Sequence, residues 1–373
     1  MILIIDYYEG KHRLFLIVDL NLRRKMDRIC KITPLDESAI LASEERWNSI
    51  AKPLGSLGLL EEQISKIAGI IGSPDVDISK RTAVIMCADN GVVCENVTQS
   101  PSGVTAVVAK AIADGTSNIN IMADCFNVRT MAVDVGMNTD AFGMLRKKTA
   151  FGTRNIAVGA AMTEEQAKTA ITAGMDIVRD LSEQGVKIIV SGEMGIGNTT
   201  SAAAVACVLL GKAPEEITGR GAGLSSEGLK RKISVIKRAI EVNNPKKDNP
   251  IDVLSKLGGF DIAGMAGLFL GGAVYRVPVV IDGVISAVSA SVAAEICPFC
   301  KDFMLASHIS EEPASKLLLE KLGLKAPISA GLRLGEGTGA ILLLPMLDAA
   351  LAVYNSSHSF EKLSIERYTK FIR

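Results

Sequence analysis

The sequence KIIVSGEMGIGNTT, residues 187–200, decides the fold. It starts with a short, largely apolar run over 187–191, continues with glycines at 192, 195 and 197, and opens an apolar segment that reaches Leu210. A short apolar run that ends at glycine predicts a buried strand, and the segment after the loop predicts a helix over 200–210. A buried strand, a glycine loop and a helix, in this order, form the repeating unit of a parallel sheet.

The same alternation recurs along the chain. Three further apolar runs predict strands: 83–88, 128–135 and 279–282. Helical patterns lie before and between them: 38–48, 57–71, 102–113 and 163–183. Apolar strands of this length, separated by helices, indicate an α/β fold with a parallel sheet flanked by helices on both faces, which is a Rossmann-like arrangement.

Acidic residues stand at the ends of these predicted strands: Asp89, Asp134, Glu193 and Asp282. In open parallel sheets, ligands bind beyond the carboxyl ends of the strands. We therefore expect the active site at that edge of the sheet.

Composition narrows the class of partner. Lys plus Arg (41) equals Asp plus Glu (41), and aromatic residues make up only 4% of the chain, which argues against a nucleic-acid surface. No run reaches the ~18 apolar residues of a membrane span. A small molecule is the expected partner. The seven scattered cysteines predict a reduced, cytoplasmic protein, and with only three histidines the role of general base falls to Glu.

The loop RLGEGTGA, residues 333–340, precedes an apolar segment that predicts a helix over 341–353. We expect Gly335, Gly337 and Gly339 to adopt positive φ and to let the backbone approach a ligand closely. Glu336, at the centre of the loop, is placed to take a proton. From this loop alone, an ordinary strand-to-helix connection with a solvated Glu explains the pattern equally well.

The glycine loop after the strand over 187–191 favours a monophosphate cradle of backbone N–H groups and hydroxyls, with a plain tight turn as the alternative. It has no Gly-Lys-Ser/Thr ending, which excludes a Walker A loop. A dinucleotide fingerprint needs an acidic residue at a strand end ~20 residues further on, where this chain has a proline-containing loop. Another glycine cluster, 218–223, precedes a basic helix whose cations could close on a phosphate: Lys230, Arg231, Lys232, Lys237 and Arg238.

Four collinear motifs carry a family resemblance. They are KPLGSLG at 52–58, GEMGIGNTT at 192–200, IDVLSKLGGFD at 251–261 and RLGEGTGA at 333–340. Together they resemble nicotinate-nucleotide–dimethylbenzimidazole phosphoribosyltransferases of the cobalamin lower-ligand pathway, over about residues 33 to 355. The resemblance implies phosphoribosyl transfer from nicotinate mononucleotide to a benzimidazole, giving an α-ribazole 5′-phosphate and nicotinate. Because the donor's nicotinate is a pyridinium and leaves readily, the reaction needs no metal and no cofactor.

The resemblance also implies a homodimer and a division of the chain. Residues 73–345 would form the large α/β catalytic domain, and residues 33–72 with 346–373 a small helical domain built from both chain ends. Residues 1–32 are an N-terminal extension of unknown role. Its first 25 residues have no counterpart in the family, so both a mis-assigned start codon and a genuine extension are open.

Motif matching implies roles for individual residues. Glu336 falls on the catalytic base and Glu193 on a second carboxylate of the same site. Phosphate and nucleotide binding is assigned to a larger set: Gly195, Gly197, Asn198, Thr199, Thr200, Lys232, Gly335 and Gly337. The pocket for the acceptor base is assigned to Ser100, Val108 and Leu334.

Two positions depart from the family pattern. Asn90 stands where the family usually has His, and Val108 stands where we expect a polar Gln in the base pocket. A less polar pocket leaves the acceptor open to another benzimidazole, a purine or a phenol. Two other functions remain as alternatives: a non-catalytic or partner-dependent member of the same fold, and a dinucleotide-binding oxidoreductase.

Overall fold

A six-stranded sheet forms the centre of the computed structural model, which describes residues 26–140 and 142–369. The strands are β1 Arg81–Ala88, β2 Val128–Gly136, β3 Leu145–Arg146, β4 Ile188–Met194, β5 Val279–Ile281 and β6 Met304–Ala306. All adjacent pairs are parallel, in the order β3-β2-β1-β4-β5-β6. The order reverses between β1 and β4, which is where doubly wound sheets bind ligands.

Fifteen α-helices lie in the described residues from position 37 onwards. The first seven are α1 Glu37–Ser49, α2 Leu59–Ile71, α3 Gly103–Ala113, α4 Asn118–Asp124, α5 Glu164–Glu183, α6 Asn198–Leu210 and α7 Pro214–Ile217. The others are α8 Ser226–Asn243, α9 Pro250–Leu257, α10 Phe260–Tyr275, α11 Val284–Ile296, α12 Ala314–Leu322, α13 Thr338–Ile341, α14 Leu343–Tyr354 and α15 Phe360–Leu363.

The sheet is buried on both faces. In β1, Val84 and Met86 belong to the hydrophobic cluster with α5 to α12, whereas Ile85 and Cys87 belong to the cluster with α1 to α4, α13 and α14. Because successive side chains of a strand point to opposite faces, a strand between two helical layers must be apolar at every position. This confirms the α/β fold that the apolar runs predicted.

Helices α1 and α14, from near the two ends of the described chain, meet on one face of the sheet. The rings of Trp47 in α1 and Tyr354 in α14 lie 4.8 Å apart between centroids, and Arg46 Nε donates to the carbonyl of Tyr354 at 3.1 Å. These helices share one hydrophobic cluster with β1 and β4. The division into a large and a small domain remains a prediction, and most of the proposed extension over 1–32 lies outside the described residues.

Several predicted boundaries were wrong. The second helix was expected over 57–71, but it begins at Leu59 with Gly58 as its N-cap. The carboxylate of Glu61 accepts a hydrogen bond from the Leu57 N–H at 2.8 Å and also forms an ion pair with Lys52. The helix predicted over 341–353 is divided into α13 and α14 at Leu342. Strand β4 runs on to Met194, so Glu193 lies within it rather than after it.

No helix in the described residues is long and apolar enough to cross a membrane.

Candidate active site

A cleft opens beyond the carboxyl ends of β4, β5 and β6. It holds about 910 Å³ of empty space that is open to solvent, and the loop 332–339 forms one wall. Glu193, Asp282 and Glu336 all line it. Of the four acids at predicted strand ends, Asp89 and Asp134 lie elsewhere: Asp89 accepts the Asn138 N–H, and Asp134 pairs with Lys148 at 3.1 Å. The cleft thus lies at the edge of the sheet where the active site is expected, and two of the four acids, Glu193 and Asp282, reach it.

Glu336 occupies a strained turn. Its φ is +61°, between Gly335 at +87° and Gly337 at +95°. Positive φ is uncommon and energetically unfavourable for a non-glycine residue. It persists only where contacts with the surrounding structure hold the backbone in that conformation. Asp282 does so, because its two carboxylate oxygens accept the N–H groups of Gly337 at 3.2 Å and Ala340 at 2.9 Å.

The prediction of positive φ holds for Gly335 and Gly337 but was wrong for Gly339. Gly339 is required for another reason: a Cβ at this position would overlap the imidazole ring of His308. His308 is 4% exposed and lines the cleft. Sequence reasoning missed this residue, although its position just after an apolar run over 304–306 was a usable signal.

The environment of Glu336 suits a proton acceptor. Burial raises the pKa of Glu336 above its ordinary value, and the negative charge of Asp282 raises it further. The N–H of Ile119, 3.3 Å from Glu336 Oε2, acts in the opposite direction. A carboxylate whose pKa moves towards neutrality becomes a better general base.

Glu193 belongs to a buried carboxylate pair. The side-chain amide of Asn198 donates to Glu193 Oε2 and, at 2.9 Å, to Asp261 Oδ2. Burial and the neighbouring charge of Asp261 raise the pKa of Glu193 to about 8, and burial raises the pKa of the fully buried Asp261 to about 6. The raised pKa of Glu193 favours its protonated form near neutral pH.

The pKa of Glu193 leads to a prediction about stability. Folding raises this pKa from 4.5 to about 8. The contribution of Glu193 to the free energy of unfolding is therefore fully present below pH 4.5, and it is lost as the pH rises through 8 because the folded protein then has to ionise a buried carboxyl group. We expect the melting temperature of the wild type to fall between pH 6 and pH 9, and that of Glu193→Gln, which cannot ionise, to fall by a few degrees less. Differential scanning calorimetry of both proteins measures this, and parallel curves would contradict it.

Five of the eight residues assigned to phosphate and nucleotide binding lie within 195–200 and fall into three groups. Gly195, Asn198 and Thr199 line the cleft, Gly197 lines a smaller neighbouring cavity, and Thr200 is fully buried. The side-chain amide of Asn198 donates hydrogen bonds to two carboxylates. Its N–H groups are therefore not free to bind a phosphate.

Lys232 lies directly behind this wall of the cleft. It is fully buried, and its Nζ donates to Thr199 Oγ1 at 3.0 Å and to the carbonyl of Gly219 at 3.2 Å. Burial lowers the pKa of Lys232 to about 8, while Glu312 opposes this shift. Lys232 is thus a buried cation that faces few neutralising charges.

The residues assigned to the base pocket are spread out. Leu334 lines the main cleft and is 57% exposed. Ser100 lines the smaller cavity, on the other side of the 195–199 loop. Val108 is half-buried in α3 and packs against the hydrophobic cluster that α3 shares with α1 and α14. It does not line either cavity.

The backbone of β4 gives a sharp test of the Glu336 turn. A Cβ at Gly192 would overlap the carbonyl oxygen of Glu336, and this backbone atom cannot swing away as a side chain could. Because the family resemblance implies that Glu336 is the catalytic base, we expect Gly192→Ala to displace the turn and lower kcat/KM by at least ~10-fold; small misplacements of such a group are costly. Gly103→Ala is the matched control, because nothing lies within 4 Å of its added Cβ. Equal activities of the two variants in steady-state assays would show that the turn tolerates displacement.

Known proteins resemble this chain over most of its length. A family model described as "Phosphoribosyltransferase" matches residues 32–365. The chain is 43% identical to the nicotinate-nucleotide–dimethylbenzimidazole phosphoribosyltransferase of Clostridium acetobutylicum, over 90% of this chain and 96% of that protein. It is 46% identical to the protein of the same name from Acetivibrio thermocellus, over 87% and 93% of the two chains. The crystal structure of CobT from Thermus thermophilus superposes with a TM-score of 0.83 at 34% identity, covering 89% of this chain and 100% of that one.

Proposed function

Because the chain belongs to the nicotinate-nucleotide–dimethylbenzimidazole phosphoribosyltransferase family, we infer that it transfers the phosphoribosyl group of nicotinate mononucleotide to 5,6-dimethylbenzimidazole or a related base. The products are an α-ribazole 5′-phosphate and nicotinate, in the synthesis of the cobalamin nucleotide loop. The strained turn that presents Glu336 to the cleft is the observation that carries this function.

Glu336 is the proposed general base. The acceptor nitrogen attacks the anomeric carbon from the face opposite the departing nicotinate, which inverts the β linkage to α. As the new C–N bond forms, the acceptor N–H passes its proton to the Glu336 carboxylate, and the C–N bond to nicotinate breaks with its electron pair going to the pyridine nitrogen. General-base help of this kind is commonly worth ~10²–10⁴ in rate.

Glu193 is proposed to act in its protonated form. Its Oε1 faces the Glu336 turn, since a Cβ on Gly335 would stand 2.8 Å from it. A neutral carboxyl group there donates a hydrogen bond to substrate without adding a second negative charge beside Glu336. In many enzymes, two neighbouring carboxyl groups with different pKa values take different roles, the protonated one as acid or donor and the ionised one as base.

The phosphate of the donor is proposed to bind beside Gly195, Thr199 and Lys232. The buried ammonium of Lys232 supplies the positive charge, and the N-terminus of α6 adds its dipole. Anchoring the phosphate fixes the ribose, so that the anomeric carbon lies between the acceptor and the base.

The acceptor itself stays a proposal. Leu334, which lines the main cleft, and Ser100, which lines the smaller cavity, are the proposed contacts of the base. The exposed apolar side chain of Leu334 favours an acceptor with few polar substituents, whereas Val108 lines neither cavity. We further propose a homodimer in the cytoplasm, on the basis of the family resemblance and of cysteines that are free throughout the described residues. Light scattering of the purified protein tests the dimer.

The direct experiment mixes the protein with nicotinate mononucleotide and a panel of acceptors: 5,6-dimethylbenzimidazole, other benzimidazoles, adenine and phenols. Mass-resolved chromatography follows nicotinate release and the new nucleotide. Product with one or more acceptors establishes the reaction and ranks the acceptors. No product from folded protein that still binds the nucleotide would favour a non-catalytic or partner-dependent member of the family.

A further inference from the structure

His308 offers a hydrogen-bond acceptor to the cleft. The Ser307 hydroxyl lies 2.6 Å from the carbonyl of Ile281 and 2.9 Å from His308 Nδ1. A serine has one proton, and a carbonyl can only accept, so Ser307 donates to Ile281 and must accept from His308 Nδ1–H. The neutral ring therefore has its lone pair on Nε2. This tautomer is assigned from the hydrogen-bond geometry.

The Nε2 atom points towards the substrate space. Gly339 and Gly283 both line the cleft and lie next to the ring. A Cβ added to Gly339 would overlap the ring, and a Cβ added to Gly283 would lie 4.0 Å from His308 Nε2. No residue in the described part of the chain makes a hydrogen bond to Nε2, and this atom is not among the fully buried polar atoms. An acceptor at the wall of a substrate cleft is thus left for the substrate.

The ring is held rigidly. The backbone around it is tied to the segment that leads into the Glu336 turn, by Ile328 N–H to Ser307 O at 3.2 Å and Ile309 N–H to Ile328 O at 3.0 Å. Preorganised groups of this kind bind and orient substrate at little entropic cost. These hydrogen bonds connect the segment that carries His308 to the segment that precedes Glu336.

The substrates offer few donors for such an atom. The phosphate and the nicotinate carboxylate of the donor only accept hydrogen bonds, which leaves the ribose hydroxyls and the N–H of the acceptor base. The N–H is the proton that Glu336 removes. Burial also lowers the pKa of His308, which makes the ring a weak proton acceptor but leaves its lone pair available for a hydrogen bond.

We propose that His308 Nε2 accepts a hydrogen bond from a ribose hydroxyl of the donor nucleotide and so orients the sugar for attack. This inference rests on the proposed function. It makes His308 a substrate-binding residue, and it accounts for the absence of a side chain at Gly339, where a larger residue would push the ring out of place.

The test compares nicotinate mononucleotide with its 2′-deoxy and 3′-deoxy analogues. His308→Asn keeps a donor near Ser307 but removes the distal acceptor, whereas His308→Gln retains an acceptor at the reach of Nε2. We expect His308→Asn to lower kcat/KM about 10-fold with the ribonucleotide and to have little further effect with one deoxy analogue, because the lost bond is the same in both cases. His308→Gln should recover part of the loss, and His358→Ala, at an exposed position, should behave as wild type.

Equal penalties for His308→Asn with all three nucleotides would overturn the inference. Titration calorimetry of the same proteins and nucleotides gives the comparison without turnover. If the wild type binds the ribonucleotide but transfers nothing to any acceptor, the proposed function fails, while the binding difference between ribo and deoxy nucleotides still decides the role of His308. Thermal unfolding of each variant shows whether a loss is merely structural.

Discussion

Glu336→Gln is expected to lower kcat by about 10²- to 10⁴-fold while leaving the affinity for nicotinate mononucleotide nearly unchanged. The substitution keeps the size of the side chain and the hydrogen bond from the Ile119 N–H, but it removes the proton acceptor. It also leaves the strained φ of +61° in place, so the turn itself is not altered. Steady-state kinetics with dimethylbenzimidazole, together with calorimetric binding of the nucleotide, separate chemistry from binding.

The pH profile makes this test stricter. The base must be ionised, and its pKa is raised by burial, so we expect kcat/KM of the wild type to rise with pH through a pKa above 4.5. The residual activity of Glu336→Gln should not show this rise of kcat/KM with pH. Glu227→Gln, at an exposed position of α8, is the matched control. Unchanged turnover in Glu336→Gln would transfer the role of base to another group.

Lys232→Met is expected to weaken nucleotide binding and lower kcat/KM by roughly 10- to 150-fold, which corresponds to a charged hydrogen bond of about 1.5–3 kcal/mol. Methionine fills most of the space of the buried lysine stem, so a cavity is avoided. The Kd for nicotinate mononucleotide should rise by a similar factor, whereas the Kd for free nicotinate, which has no phosphate, should not change.

Lys230→Met provides the control for Lys232→Met. Lys230 lies two residues earlier in α8, is exposed and has no charge partner among the described residues. If both variants bind the nucleotide like the wild type, the phosphate lies elsewhere in the cleft. If Lys232→Met binds free nicotinate more weakly as well, the lysine supports the wall of the cleft rather than the phosphate.

Much of the fold could be predicted because the signals are local. The apolar run over 83–88 and the helical pattern over 163–183 depend on neighbouring residues, and both were confirmed. The boundaries that failed depended on distant or competing groups. At Leu57, the carboxylate of Glu61 accepts the backbone N–H, and the helix starts two residues later than predicted.

The candidate site was predictable in its parts but not in its arrangement. The sequence placed Glu193 and Glu336 in glycine loops next to strands, and both line the cleft. It could not show which way Asn198 points, because its amide is satisfied by Asp261, which is 63 positions away in the chain. Nor could it identify His308, whose tautomer depends on Ser307 and the carbonyl of Ile281.

The sequence by itself determined the parallel α/β fold, the edge of the sheet at which the cleft opens and the glutamate at the centre of the 333–340 loop. These follow from the period of apolar residues and from glycine, which act over a few positions. Only the tertiary structure decided the strand order, the left-handed backbone of Glu336 and the contact between Gly339 and His308. The physical reason is distance along the chain: Asp282 fixes the Glu336 turn through Gly337, 55 positions later, and no local pattern encodes such a contact.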